Sequence, residues 1–261
     1  MANKLIQLGV RNINKLLRFI GLQLSSLNVK SSEEIVPSFD MESDFNEIFT
    51  KCKTYTMTSI ERMYALYKAT QYVVENKISG DIVECGVWKG GSMMIIALTL
   101  LMLSNSDKKL YLYDTYEGMS EPTDFDVRAY DNYEAKQKWA FLKKENRKWD
   151  YASLDEVKKN LLSTNYPKEN LIFIKGKVEE TIPQIMPEQI SLLRLDTDWY
   201  ESTLHELQYL YPKLSKNGII LLDDYGHWRG AKKAVDKYFN EKKIKILLHR
   251  IDNTGRIGIK T

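Results

Sequence analysis

Two apolar runs in this chain end in paired carboxylates. LLRLDTDWYEST (192–203) delivers Asp196 and Asp198, and GIILLDDYG (218–226) delivers Asp223 and Asp224. Residues two apart on an extended segment project to the same side, so Asp196 and Asp198 are expected to share a face. If the two runs are neighbouring buried strands, three or four carboxylates converge at one end of a sheet. Unpaired, they would repel, and one or more would have to stay protonated. A bound divalent cation removes that conflict. Hard oxygen donors, with no cysteine and no clustered histidine among them, point to Mg²⁺ or Mn²⁺ rather than zinc. The alternative is helix capping, because Asp198 and Asp224 each precede a helical stretch by a few residues. His205 and His249 read as helix-surface and strand residues. His227 is a packing residue within reach of a substrate, and Cys85 a small buried hydrophobe.

A second constellation follows the first strand. DIVECGVWKGGS (81–92) has the position of a dinucleotide-binding turn, but Glu84 stands at the first glycine position and Lys89 at the third, with Gly86 and Gly90 between and after. Glu84 would repel a pyrophosphate and attract a cation. S-adenosylmethionine carries a sulfonium and an ammonium and no phosphate, so it suits this turn better than NAD. Asp114 ends the next strand, about 30 residues on, where an acid can accept both ribose hydroxyls. A glycine-rich loop by itself can also be only a tight strand-to-helix connection.

These groups need a frame that brings strand ends together. Short, continuous apolar runs at DIVEC (81–85), LYLY (110–113), LIFI (171–174), ISLLRL (190–195) and GIILL (218–222) read as parallel strands buried on both faces. Helices are expected over 60–77, 91–104, 202–213 (capped by Ser202 or Thr203) and 230–240. KILLH (245–249) and RIGI (256–259), joined by IDNTG, read as an antiparallel hairpin. The result is an α/β fold, a seven-stranded, doubly wound, mostly parallel sheet with one reversed strand. In it strands four and five lie side by side next to strand one, which brings the aspartates together. The stretch 114–170 is too long for an ordinary connection and reads as a lid or binding insertion, with an acidic loop GMSEPTDFD (118–126) and Trp139, Phe141 and Trp149 after it.

Composition excludes several classes. Apolar residues make up 43 % of 261 and charged residues 28 %, ordinary for a globular protein with a real core. A net charge of +3 gives no argument for nucleic acid. Two cysteines do not make a disulfide framework, so a reducing cytoplasm is the default. No apolar run reaches the ~20 residues of a membrane span, and no signal peptide is evident. Residues 1–30 stand apart. Lys4, Arg11, Lys15, Arg18 and Lys30 come with no acid, and Leu5, Leu8, Leu16, Leu17 and Leu24 recur at helical spacing. Such a helix packs on its own domain or a second subunit, or lies on an anionic membrane surface as a peripheral contact. Residues 31–50 read as a polar linker, so the expected division is 1–50 and 51–261, with the insertion at about 115–168.

TMTSIERMYAL (56–66), DIVECGVWKGGS, LYDTYEGMSEP and the whole run from LRLD to DDYGHWRGAKKAVDKYF resemble the TylF-type, or macrocin, O-methyltransferase family over about residues 50–260. The resemblance implies a class I methyltransferase fold and Mg²⁺-dependent transfer of a methyl group from S-adenosylmethionine to a sugar hydroxyl. It implies Asp196, Asp223 and Asp224 as metal ligands and Asp198 as general base. It implies Glu84, Gly86 and Ser92 at the methionine part of the cofactor, Asp114 at the ribose, Val178 near the adenine, and Thr56 and Met57 closing over it. The loop 118–128 would order on substrate binding. The implied acceptor is a small molecule or glycan with neighbouring hydroxyls, and a homo-oligomer is expected. Residues 127–165 match no pattern of the family and are assigned to the acceptor pocket. Two other readings are a nicotinamide-dependent oxidoreductase on a similar sheet, which Glu84 opposes, and a membrane-associated scaffold of glycan assembly, which has no use for four aspartates.

Overall fold

The computed structural model describes residues 40–261. The amphipathic helix expected in residues 1–30 and the first part of the linker lie outside the described residues. The linker does not extend to residue 50: helix α1 spans Ser43–Cys52 and buries Phe45, Ile48, Phe49 and Cys52. Phe45 packs on Tyr64 and Tyr67 of α2 (Ile60–Glu75), with ring centroids 5.0 and 5.4 Å away. Four apolar side chains at helical spacing in an otherwise polar stretch were enough to fold it back onto the domain.

Seven strands form one sheet in the order β3-β2-β1-β4-β5-β7-β6. They are β1 (Asp81–Cys85), β2 (Leu110–Asp114), β3 (Leu171–Lys175), β4 (Ile190–Leu195), β5 (Leu214–Leu222), β6 (His249–Arg250) and β7 (Arg256–Ile259). The first five are parallel and β7 is the reversed strand. Every residue of β4 is buried, as befits the strand between β1 and β5. The hairpin is antiparallel as expected, but its first strand is only two residues long. Residues 245–248 do not pair. Ile246 and Leu248 instead lie over the backbone of Gly258, where a Cβ would meet both at 3.0 Å, and cover that face of β7.

Side-chain alternation divides the sheet between two cores. Ile82, Leu192, Ile219 and Leu221 face α1, α2, α3 (Gly91–Met102) and α5 (Leu154–Leu162). Val83, Cys85, Leu193, Leu195 and Leu222 face α7 (Tyr200–Tyr209) and α8 (Arg229–Glu241). Two further helices, α4 (Ala135–Lys144) and the short α6 (Val178–Thr181), complete the set among the described residues. Helix α5, inside the long insertion, buries Val157 and Leu161 against the sheet side of the domain. The insertion is therefore a loop with α4 on the rim, followed by an ordinary layer helix. Among the described residues no helix is long and apolar enough to cross a membrane.

Helix α7 starts earlier than its hydroxyl residues suggest. Ser202 and Thr203 lie inside it and Trp199 is the N-cap, with no side-chain bond of its own. The acceptor comes from the insertion instead: the Tyr200 N–H donates to Asp126 Oδ1 at 2.8 Å. A distant carboxylate thus performs the capping that local hydroxyls were expected to perform.

Candidate active site

A cavity of about 350 Å³ opens at the carboxyl ends of β1, β2, β4 and β5, where ligands bind in open α/β sheets. Asp196 and Asp198 follow β4, and Asp223 and Asp224 follow β5. All four line the cavity. One carboxylate oxygen from each of Asp196, Asp223 and Asp224 lies within 4.8 Å of the others. Asp198 joins them differently from expectation. It is not extended: its φ is +66°, a left-handed conformation that aspartate tolerates better than most residues. Its carboxylate accepts the Trp228 Nε1–H at 2.8 Å.

The aspartates are not alone. Arg194, on β4 and nearly fully buried, donates from Nη1 to Glu84 Oε1 (2.5 Å), contacts Asp196 Oδ2 from Nη1 (2.8 Å) and donates from Nη2 to Asp223 Oδ1 (2.7 Å). Arg62 of α2 reaches the other oxygen of Asp223, and its Nε lies 3.0 Å from Asp252 Oδ2, off the hydrogen-bond axis. Alternation explains the meeting. Glu84, Arg194 and Asp223 have the parity of Ile82, Leu192 and Leu221, so all three sit on the α2 face of the sheet. Sequence reasoning missed both arginines. Arg194 carried a signal, because a charge inside an otherwise apolar buried strand has to be paired. Arg62 carried none.

The same parity corrects the reading of Glu84. Its side chain is completely buried and does not line the cavity. Arg194 stands directly opposite on β4 and holds it beneath the floor, so a contact with the cofactor is not met by this geometry. Burial pushes the Glu84 carboxyl up to about 7, with the Arg194 charge opposing. The other expected cofactor residues do line the cavity: Thr56, Met57, Gly86, Ser92, Asp114 and Val178. Gly86 has φ +84°, and a Cβ there would meet the Asp196 carbonyl oxygen at 2.0 Å. Only glycine lets the first loop pass so close to the β4 end. Gly91 gives the same freedom to the segment before α2, since a Cβ there would meet the Tyr55 carbonyl at 2.5 Å. Asp114 accepts the Val87 and Trp88 N–H groups on Oδ2 (2.7 and 3.1 Å) and the Tyr116 N–H on Oδ1 (2.7 Å). It therefore braces two loops while facing the cavity.

The opposite wall combines the insertion with the loops after β4 and β5. Trp149, Trp199 and Trp228 pack edge to face with centroids 5.1 to 6.4 Å apart. Trp149 and Trp228 line the cavity with Met119, Tyr133 and Lys138. The loop is already docked. Asp126 accepts the Thr123 N–H and hydroxyl on Oδ2 (2.6 and 2.8 Å), and Arg229 N–H donates to the Val127 carbonyl (2.9 Å). His227 lines the cavity beside Trp228, whereas His205 bonds the Ile182 carbonyl and His249 is exposed on β6.

Burial dominates the electrostatics. It pushes Asp198 up to about 8, with the Asp196 charge adding and the Asp224 and Trp228 hydrogen bonds opposing. Burial raises Asp196 and Asp224 well above the carboxylate range, with the Arg194 charge opposing at Asp196 and the Asp223 charge adding at both. Six carboxylates (Glu84, Asp196, Asp198, Asp223, Asp224 and Asp252) gather around two guanidiniums here, a surplus that favours a cation. The donor set fits a hard one: all ligands are oxygens, and Asp224 Oδ2 is buried with no hydrogen-bond partner.

Comparison with known proteins identifies the family and the fold. The macrocin O-methyltransferase (TylF) family matches residues 25–257. Demethyldecarbamoylnovobiocin O-methyltransferase of Streptomyces niveus is 30 % identical over 201 residues, 77 % of this chain and 74 % of that protein. The structure of the O-methyltransferase NovP superposes with a TM-score of 0.69 at 29 % identity, over 79 % of this chain and 82 % of that one. An S-adenosylhomocysteine-bound methyltransferase from Podospora anserina, 14 % identical, shares the fold with a TM-score of 0.51 over 84 % and 88 % of the two chains.

Proposed function

The chain belongs to the macrocin O-methyltransferase family and is an S-adenosylmethionine-dependent O-methyltransferase; from its cleft we propose that it methylates a sugar hydroxyl with the help of Mg²⁺. The family assignment sets aside the oxidoreductase and scaffold readings. The observation that carries the proposal is the carboxylate trio, with Asp224 Oδ2 buried and unpartnered, at the wall of a cavity that Asp198 also lines. The named relatives support the acceptor class. Among them are a mycinamicin III 3''-O-methyltransferase and an O-methyltransferase for a dimethoxyrhamnosyl tetracenomycin. The acceptor is accordingly a glycoside, glycan or nucleotide sugar with neighbouring hydroxyls.

Asp196, Asp223 and Asp224 would hold the cation. Bound there, Mg²⁺ would supply positive charge that makes a nearby hydroxyl more acidic, and S-adenosylmethionine would supply an activated methyl group. Arg194 and Arg62 keep the Asp223 carboxylate in place from both sides. Asp198 takes the hydroxyl proton on the carboxylate oxygen not bound to Trp228, a role worth roughly 10²–10⁴-fold in rate. Gly86, Ser92, Asp114 and Val178, with Thr56 and Met57 above, form the cofactor half of the cavity. Trp149 and Tyr133 of the insertion, with Trp228, line an apolar, aromatic half suited to a sugar face, which supports a part for the segment 115–168 in acceptor choice.

The test is calorimetric titration of S-adenosylhomocysteine, followed by methylation of a glycoside panel with and without EDTA. Asp198→Asn is expected to bind S-adenosylhomocysteine as the wild type does and to lose turnover. Asp224→Asn is expected to lose the response to Mg²⁺ and the binding of Mn²⁺ seen by paramagnetic resonance. Full turnover in EDTA would remove the metal from the reading, and full turnover of Asp198→Asn would remove the base.

A further inference from the structure

The Trp228 side chain is one of three indoles in a buried cluster, yet it is the one whose N–H points at the reacting end of the cleft. Trp199 donates its Nε1–H to the Ser120 carbonyl at 3.1 Å and so closes the insertion loop. Trp228 donates to Asp198 Oδ1 at 2.8 Å. The Trp228 main chain is tied to the other carboxylate strand, its N–H donating to the Asp224 carbonyl at 3.1 Å. One residue therefore spans the two loops that carry the aspartates.

Its ring has no freedom to turn. It is 5 % exposed and meets Trp199 at 5.1 Å and 70°, Trp149 at 6.4 Å and 66°, and His227 at 5.0 Å and 72°. A pairing with Arg128 fixes the backbone on the remaining side. Asp198 is the opposite case. It follows the end of β4 in a left-handed conformation, half-buried beside Asp224, and the Trp228 indole is the N–H donor on its carboxylate.

We infer that Trp228 is a positioning residue, whose indole N–H holds Asp198 Oδ1 and so presents the other carboxylate oxygen to the acceptor hydroxyl. The inference rests on the reading of Asp198 as the proton acceptor. The indole is the right group for this. It donates one hydrogen bond, accepts none, and cannot take the proton from the aspartate. Orientation is what the hydrogen bond supplies, and a displacement of about 1 Å at a reacting group costs up to ~10²-fold in rate.

The experiment compares Trp228→Phe with Trp199→Phe, each alone and in the Asp198→Asn background. Phenylalanine keeps the edge-to-face packing and removes the donor. Trp228→Phe should lose about 10- to 100-fold in kcat, with S-adenosylhomocysteine affinity and the acceptor KM within about twofold of wild type. Trp199→Phe, which disturbs the same cluster but removes the hydrogen bond to Ser120 rather than the one to Asp198, should lose clearly less kcat than Trp228→Phe. In the Asp198→Asn background Trp228→Phe should cost nothing further, because the group it orients is gone. Should Trp228→Phe fail to fold, the benzothienylalanine isostere at position 228 keeps the ring shape without the N–H and reads the same difference. A wild-type kcat for either 228 variant, or equal losses at 228 and 199, overturns the inference. A normal turnover for Asp198→Asn overturns the underlying reading instead, so the two failures are distinct.

Discussion

Arg194 and Glu84 stand opposite each other on neighbouring parallel strands, and their side chains meet at 2.5 Å beneath the floor of the cleft. The guanidinium also contacts Asp196 and Asp223, so one buried cation organises three acids from three different strands or strand ends. Removing it leaves buried carboxylates without a partner. Arg194→Met should cost about 3–5 kcal/mol of stability. Urea unfolding measures this as a lower midpoint at an unchanged slope. Glu84→Gln in the same chain should return part of the loss, because one of the stranded charges is then removed. An Arg194→Met protein as stable as the wild type would show that the network contributes nothing.

Gly86 is irreplaceable for a reason of space. A methyl group at this position would lie 2.0 Å from the Asp196 carbonyl oxygen, and the φ of +84° disfavours any L side chain by about 1–2 kcal/mol by itself. Gly86→Ala must push the first loop away from the end of β4. The expected result is a lower Tm together with a loss of S-adenosylhomocysteine affinity, both measurable in one thermal-shift titration.

Asp126 joins the insertion to the start of α7. Its removal in Asp126→Ala strands the N–H groups of Tyr200 and Thr123, at about 1–3 kcal/mol for a buried donor left unpaired. The insertion should loosen while the cofactor half, built from other loops, stays intact. Limited proteolysis should cut within 118–135 faster than in the wild type, and the acceptor KM should rise with S-adenosylhomocysteine affinity unchanged.

Glu206 supplies a pH dependence outside the reacting centre. It is fully buried on α7. One oxygen accepts the Thr197 hydroxyl at 2.9 Å and the other has no partner. Burial raises its carboxyl well above the ordinary range, with the Thr197 hydrogen bond opposing. The folded value therefore lies above the unfolded one. The contribution of this group to stability is complete below the unfolded value and is lost as pH rises, because the unfolded chain then gives up a proton that the fold retains. Glu206→Gln should match the wild type near pH 4 and exceed it by a growing margin between about pH 5 and 8, in Tm measured across that range.

Much of this molecule was legible in the chain alone, and the legible parts share a cause. Strands β1 to β5, their parallel order and the reversed β7 follow from short apolar runs spaced by helical stretches, a pattern set by local periodicity. Asp196, Asp223 and Asp224 come with the strands because each sits directly beyond a strand end, so connectivity alone delivers it to the ligand edge. Gly86 and Asp114 were legible in the same way. Local rules failed wherever a partner came from far along the chain. Helix α7 has its cap from Asp126 rather than from Ser202 or Thr203. Glu84 turned from the cofactor to Arg194, 110 residues away. Residues 245–248 covered a glycine of β7 in place of pairing, and residues 43–52 became a helix because aromatic side chains of α2 receive them. Arg62 meets Asp223 across 161 residues. A sequence states which groups end each strand, since that is covalent. The counter-charges, caps and hydrogen-bond donors that hold those groups are chosen by which surfaces pack together, and that is decided only when the sheet and its helices close around one another.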